Sequence, residues 1–537
     1  MTPGVRSLET PIVRIPAPAA YLLPGLGLGT ILFIAGMVWK PPFGGLILLA
    51  ASAVAAAGAF LLLLRPGLFL GFFLLYATFA PFFARIVHLP LGWFKGIFFL
   101  AILPIWLLTR AADRSPHWRG ARVPLAVYGG AAAIFGMLAA VTATRGVPAL
   151  QIVNATIGYL LYPLLIFIAY DAAGGMTRVP RFLWWVFGLC CAVALGAVIQ
   201  SFVPVETLLR FGLSLETGMV AFVAVDPISG KLYQRLFSFL DDQSSVAALS
   251  FLGIALSLHL LGAASSRGKR AIVVLGLALL GYALLLTYNM TMISAVFLFV
   301  LILVVRQRSG KLLLWFLIVT LLVAGIGWIR FGDLIRNRVM TSFTLQKGVS
   351  TSLVFRLEEN RRGWKLLWDE PVIGRGIGST ANLLVYYKLG MRSSAEGGIP
   401  TDNFYLTTAL EAGWIGWLAL FSVHLLPLIA LGRLARSRDP DERRFGVIAG
   451  SAVAVLLIAN LSNGPMNTNP SNLLFWMLTG FAWRRLYERE VEEGSRAALP
   501  VGTPLPAGAA QPAGEPLPSG APLPARSALA APEGGRP

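Results

Sequence analysis

Val123 to Ala143 reads VPLAVYGGAAAIFGMLAAVTA, a stretch without one charged side chain. A helix of about 20 such residues crosses the roughly 30 Å hydrocarbon core of a bilayer. Phe43 to Leu64, Leu150 to Tyr170 and Ile272 to Thr287 have the same character. In lipid every backbone N–H and C=O must be paired within its own segment, and a helix does this. A β-barrel would need short segments of alternating polarity, which these runs are not. The whole chain agrees: 56% of its 537 residues are hydrophobic and 13% charged, a balance that no soluble domain could keep without exposing apolar surface.

Working outward, length and breakers give about fourteen apolar spans. They lie near 19–38, 43–64, 67–84, 94–109, 123–143, 150–170, 182–203, 244–263, 271–287, 292–305, 311–329, 405–432, 445–463 and 471–484. Arginine and lysine then fix the orientation. Arg65, the group Arg110 to Arg122, Arg178 and Arg181, Arg267 to Arg270, Arg306 to Lys311, Arg433 to Arg444, and Arg484 with Arg485 fall in alternate loops. By the positive-inside rule those loops and both termini are cytoplasmic. Residues 1–18 are polar and Pro-rich, and no cleavable signal is expected there.

The expected fold is therefore an all-α membrane protein with one large periplasmic loop. Its parts are a cytoplasmic N-terminus (1–18), a first bundle (19–329) with an outer loop at 204–243, the large loop (330–404), further spans (405–484) and a cytoplasmic tail (485–537). The tail is rich in Pro, Ala and Gly, repeats Pro-Leu-Pro, and is expected to be disordered. Net charge is +19. Much of it follows from topology, but the large loop carries eleven basic against seven acidic residues where insertion does not demand them. Cys190 and Cys191 sit side by side in an apolar run and suggest no disulfide framework. None of the four histidines falls in the large loop, which argues against a His-based zinc site there.

Within that loop Ser352 to Glu370 reads as an amphipathic helix. Leu353, Val354, Leu357, Trp364, Leu367 and Trp368 share a face, suited to lying on the membrane surface or closing over the bundle. Pro371 ends it, and Gly374-Arg375-Gly376-Ile377-Gly378 follows. Such a turn either cradles phosphate oxygens with its N–H groups, assisted by Arg375, or is a plain helix stop. Arg356 is an anion clamp or a snorkelling interfacial arginine. Asp402, where the loop returns to the membrane, is a general base or the cap of the next helix. Glu411 lies nine residues on, about two and a half turns deeper in a continuous helix, and is either partnered or functional. Asp241 and Asp242 read as capping residues, and Arg235 as a second cation at the surface.

The order of these pieces resembles the bacterial O-antigen ligase and polymerase superfamily. The likeness lies in Arg356-Leu357, Pro371-Val372-Ile373-Gly374-Arg375-Gly376, Asn403-Phe404-Tyr405-Leu406, and Glu411-Ala412-Gly413-Trp414-Ile415-Gly416. It is specific over about 350–420 and looser over 230–485. Two departures tilt the reading to the polysaccharide polymerase branch. Asp402 stands where the family has His, and Thr287-Tyr288-Asn289-Met290 replaces a Thr-x-Ser-Arg. The resemblance implies a glycosyltransferase that moves glycan from an undecaprenyl-diphosphate donor to a sugar hydroxyl at the periplasmic face of the inner membrane. Catalytic residues would be Asp402, Arg356 and Arg235; Arg375, Gly374, Gly376, Asn403 and Glu411 would bind diphosphate or glycan. Neither cofactor nor metal is implied. Partners would be the lipid-linked oligosaccharide, membrane lipid and other polysaccharide assembly proteins, with no nucleic acid. A ligase of the same superfamily and a polysaccharide flippase are the alternatives.

Overall fold

The computed structural model describes residues 62, 65–86, 106, 116–173, 179–204, 207, 223–225, 232–234, 236, 238, 240, 243–307, 314, 318, 325, 352–379, 403–462 and 470–497. The expected spans 19–38, 43–64, 94–109 and 311–329 fall almost wholly outside these residues. Helices dominate the rest: α1 (Pro66–Ile86), α2 (Arg122–Thr144), α3 (Ala149–Leu160), α4 (Leu165–Ala172), α5 (Val179–Gln200), α6 (Gln243–Ala263), α7 (Arg267–Leu286), α8 (Met290–Gln307), α9 (Ser352–Asp369), α10 (Phe404–Leu434), α11 (Pro440–Ala459) and α12 (Ser471–Ala497). Six helical stretches among the described residues are long and apolar enough to cross a membrane: Trp118–Thr144, Gln151–Ala172, Pro180–Gln200, Gln243–Ala263, Arg267–Leu286 and Phe404–Leu434.

Local chemistry sets the boundaries. Pro66 and Pro440 open α1 and α11, where a missing N–H costs nothing. Asp439 caps α11 by accepting from Asp441 N and Glu442 N, and Ser266 caps α7 by accepting from Lys269 N. Pro163 interrupts the 151–172 run, so α3 and α4 are joined by a 3₁₀ turn at Tyr162–Leu164. One departure from an all-α chain is a short antiparallel pair in the 204–243 loop, Val223–Val225 with Leu232–Gln234, in which Ala224 faces Tyr233.

The most enclosed of the six candidate spans is α6, packed by α5, α7, α8 and α11. Close approach there depends on small residues: a Cβ on Gly253 would stand 2.9 Å from Leu280. Helices α10 and α11 run antiparallel, with Gly446 against the Leu434–Ala435 backbone and Gly450 against Leu431. Residues from the basic loops meet at one end. Arg444 lies over Gly262, Arg485 Nε bonds the Glu442 carboxylate at 2.5 Å, and Arg484 stacks on Tyr170 at 5.5 Å. Residues from the intervening loops meet at the other, here called the loop end. Asn289 Nδ2 bonds Ser244 Oγ, Phe404 N bonds Asn460 O, and Arg145 bonds Glu370.

The chain divides into two compact units, Met1–Glu488 and Arg489–Pro537. The bundle belongs to the first. In the second, described as far as Ala497, Arg489 pairs with Glu493 at 3.5 Å.

Candidate functional site at the loop end

The 31-residue run of α10 is not one straight rod. In a continuous helix Phe404 and His424 would lie about 30 Å apart along the axis. Their ring centroids are 5.7 Å apart, and those of Tyr405 and Phe421 are 6.3 Å apart. The fold occurs at Gly413, whose φ of 64° and ψ of −171° leave the helical region. Residues 404–412 therefore form one arm of a helical hairpin and residues 414–434 the other. A Cβ at Gly413 would lie 2.2 Å from the Val372 carbonyl oxygen, so only glycine fits. This corrects the depth expected of Glu411. Because the first arm doubles back along the second, Glu411 sits at the tip of the hairpin, not two and a half turns below Asn403.

Folding a helix back on itself strips peptide groups of their intrahelical partners, and the glycine turn supplies replacements. Arg375 N donates to Leu410 O at 2.8 Å and Gly376 N to Glu411 O at 3.0 Å. In return Trp414 N donates to Pro371 O at 2.8 Å and Ile415 N to Val372 O at 3.3 Å. Gly374 N bonds Glu370 O, Ile377 N bonds Thr142 Oγ1, and Gly378 N bonds Glu411 Oε2. Every N–H from Gly374 to Gly378 thus has a protein acceptor. The phosphate cradle expected of Gly374 and Gly376 is replaced by a staple that closes the hairpin tip. The glycines allow the close fit. Gly374 has φ 66° and no room before the Glu411 backbone, and Gly376 has φ 114° against Thr142.

Glu411 is buried, 3% exposed. Its Oε2 accepts from Tyr159 OH at 2.9 Å and from Gly378 N at 3.0 Å. A carboxylate away from water is tolerable when donors surround it, and these come from a spanning helix and from the loop. Asn403, expected to bind substrate, caps the first arm through Oδ1, which accepts from Tyr405 N and Leu406 N at 3.1 Å each. Asp402 and Arg235 lie outside the described residues, as does the Arg356 side chain, whose backbone falls within α9.

Arg375 bonds Asp369 Oδ2 at 2.9 Å. Beside it is an arginine that the sequence reading did not single out. Arg145, just past α2, bonds Glu370 Oε2 at 2.6 Å and the Gly374 carbonyl at 2.7 Å. Its one sequence signal was being the basic residue of a very short outer loop. Tyr159 and Thr142 gave no signal, since a tyrosine or threonine in an apolar span is ordinary. Three buried polar atoms at this junction have no partner among the described residues: Arg375 Nε, Gln151 Oε1 and Ser379 Oγ. Ser379 directly follows Gly378, whose Cβ would touch the Gln151 carbonyl, so these atoms belong to one small region.

No curated protein matches the chain. The family described as O-antigen ligase matches residues 275–421, a stretch that takes in α7, α8, α9, the glycine staple and the hairpin tip with Glu411. This match covers part of the chain, and over those residues it supports the likeness to the O-antigen ligase/polymerase superfamily read from the motifs.

Proposed function

We propose that the chain is a polysaccharide polymerase of the inner membrane. It would transfer glycan from an undecaprenyl-diphosphate donor to a sugar hydroxyl at the periplasmic face, with the loop end of the bundle outward and both termini cytoplasmic. Members of the superfamily are glycosyltransferase-like enzymes that act on lipid-linked polysaccharides in membranes. The observation that carries the reading is the stapled hairpin tip within the matched segment. It gathers Arg375 and Arg145 with buried polar atoms that no described residue satisfies, where a polar ligand or water would.

In the proposed reaction the acceptor hydroxyl oxygen bonds to the donor's anomeric carbon as the bond to the diphosphate oxygen breaks. Undecaprenyl diphosphate leaves with the electron pair, and the hydroxyl proton passes to the Asp402 carboxylate. The main demand is stabilising charge on the leaving diphosphate, which arginines meet by bidentate hydrogen bonds. Arg356 and Arg235 take that role, with Arg375 as a further cation. Arg145 joins this list, while Asn403, Glu411, Gly374 and Gly376 build the site.

The test is purified protein in lipid bilayers supplied with undecaprenyl-diphosphate oligosaccharide, with neither nucleotide nor metal added. Lengthened chains on the lipid support a polymerase. Transfer only to an added lipid or protein acceptor would move the chain to the ligase branch, and movement of intact substrate across the bilayer would favour a flippase.

A further inference from the structure

The apolar face expected for α9 divides in two. One edge packs on the hairpin: Leu367 is 2% exposed and clusters with Leu406, Ala409 and Leu410, and Gly363 is buried beside it. The other edge is bare. Leu357, Trp364 and Trp368 follow at spacings of seven and four, one stripe of a helix, and are 60%, 43% and 68% exposed. The stripe does not stop with the helix. Val372, 57% exposed, accepts a backbone hydrogen bond from Ile415, and Ile415 and Leu418 face outward on the spanning arm of α10 at 42% and 58%. That arm's outward apolar surface is lipid-facing in a membrane protein. Arg361 and Lys365, both exposed, flank the stripe some 40° to 80° around the helix, by the ~100° per residue of an α-helix.

We propose that α9 is seated in the outer-leaflet interface, with Leu357, Trp364 and Trp368 among acyl chains and Arg361 and Lys365 at the anionic headgroup phosphates. Three features select lipid over a protein partner. The stripe is continuous with a lipid-facing surface, tryptophans sit where apolar and wet meet, and cations stand on its border. A consequence deepens the proposed function and rests on it only here. Arg375 is three residues beyond Val372, so the seat holds its guanidinium near the headgroup plane, the level at which a lipid-linked diphosphate presents its phosphates.

The test needs no substrate and so stands apart from glycan transfer. Leu357→Cys, Trp368→Cys and Lys365→Cys, each in a full chain carrying Cys190→Ala and Cys191→Ala, are spin-labelled in nanodiscs containing phosphatidylglycerol. Labels at 357 and 368 should collide more with oxygen than with a water-soluble nickel chelate, and the label at 365 should do the reverse. Nickel preference at all three sites overturns the proposal, because the stripe then faces water. Labels at 357 and 368 shielded from both probes also overturn it, because a second copy or another protein then covers the stripe. Independently of labelling, quenching of tryptophan fluorescence by brominated lipid should fall in Trp364→Phe/Trp368→Phe. Unchanged quenching contradicts the seat.

Discussion

Glu411 shows how a residue that is suspicious in sequence can serve architecture. A carboxylate in an apolar run demands a reason, and the structure gives one: it receives Tyr159 OH and Gly378 N–H, joining a spanning helix to the loop. Removing it leaves two donors in a dry site, each costing about 1–3 kcal/mol. Glu411→Leu should therefore lower the midpoint of thermal unfolding in detergent more than Tyr159→Phe, which deletes one donor and leaves the carboxylate its other. Equal, small shifts would contradict this. Asn403→Ala should cost about 1 kcal/mol of stability as a lost cap, read by the same melt. At this scale the sequence flagged Glu411, Arg375 and Asn403 by type and place. It could not show that Tyr159 meets Glu411 or that Arg145 meets Glu370, because each pair lies more than two hundred positions apart.

Among the elements, the spans were legible and their interruptions were not. Apolar length located α1, α2, α5, α6, α7, α8 and α11 within a few residues, and the start of α12 though not its charged continuation to Ala497, because in lipid length and polarity nearly determine a helix. The same rule treated 405–432 as one span. It failed at Gly413, where the fold depends on a loop some forty residues upstream supplying hydrogen bonds, which a periodicity within the run does not report. Glycine count was likewise ambiguous: Gly374-x-Gly-x-Gly fits a phosphate loop and a staple equally well until acceptors are seen. Two substitutions separate these cases. Gly413→Ala should abolish folded protein on gel filtration or depress its melting sharply, since φ is positive and Val372 O blocks a Cβ. Gly432→Ala, in open space in the same helix, should be neutral or stabilise by up to about 1 kcal/mol.

For the whole molecule, the arginines and lysines set the expected placement of the loops, and contacts among the described residues gather at two ends. Arg145, Glu370 and Gly374 meet at one end, while Arg485 and Glu442 meet at the other. Cysteine introduced at exposed Arg145 should react with a membrane-impermeant maleimide added outside intact cells, and cysteine at exposed Ser266 should not. The reverse result would invert the proposed topology. The central claim concerns chemistry at the loop end, with Asp402 as base and Glu411 as builder. Its most direct measurement is the turnover of lipid-diphosphate oligosaccharide by Asp402→Asn in bilayers, alongside its thermal unfolding. The account predicts a loss of about 10²-fold or more in kcat with the melting midpoint unchanged. Full turnover in Asp402→Asn would contradict it.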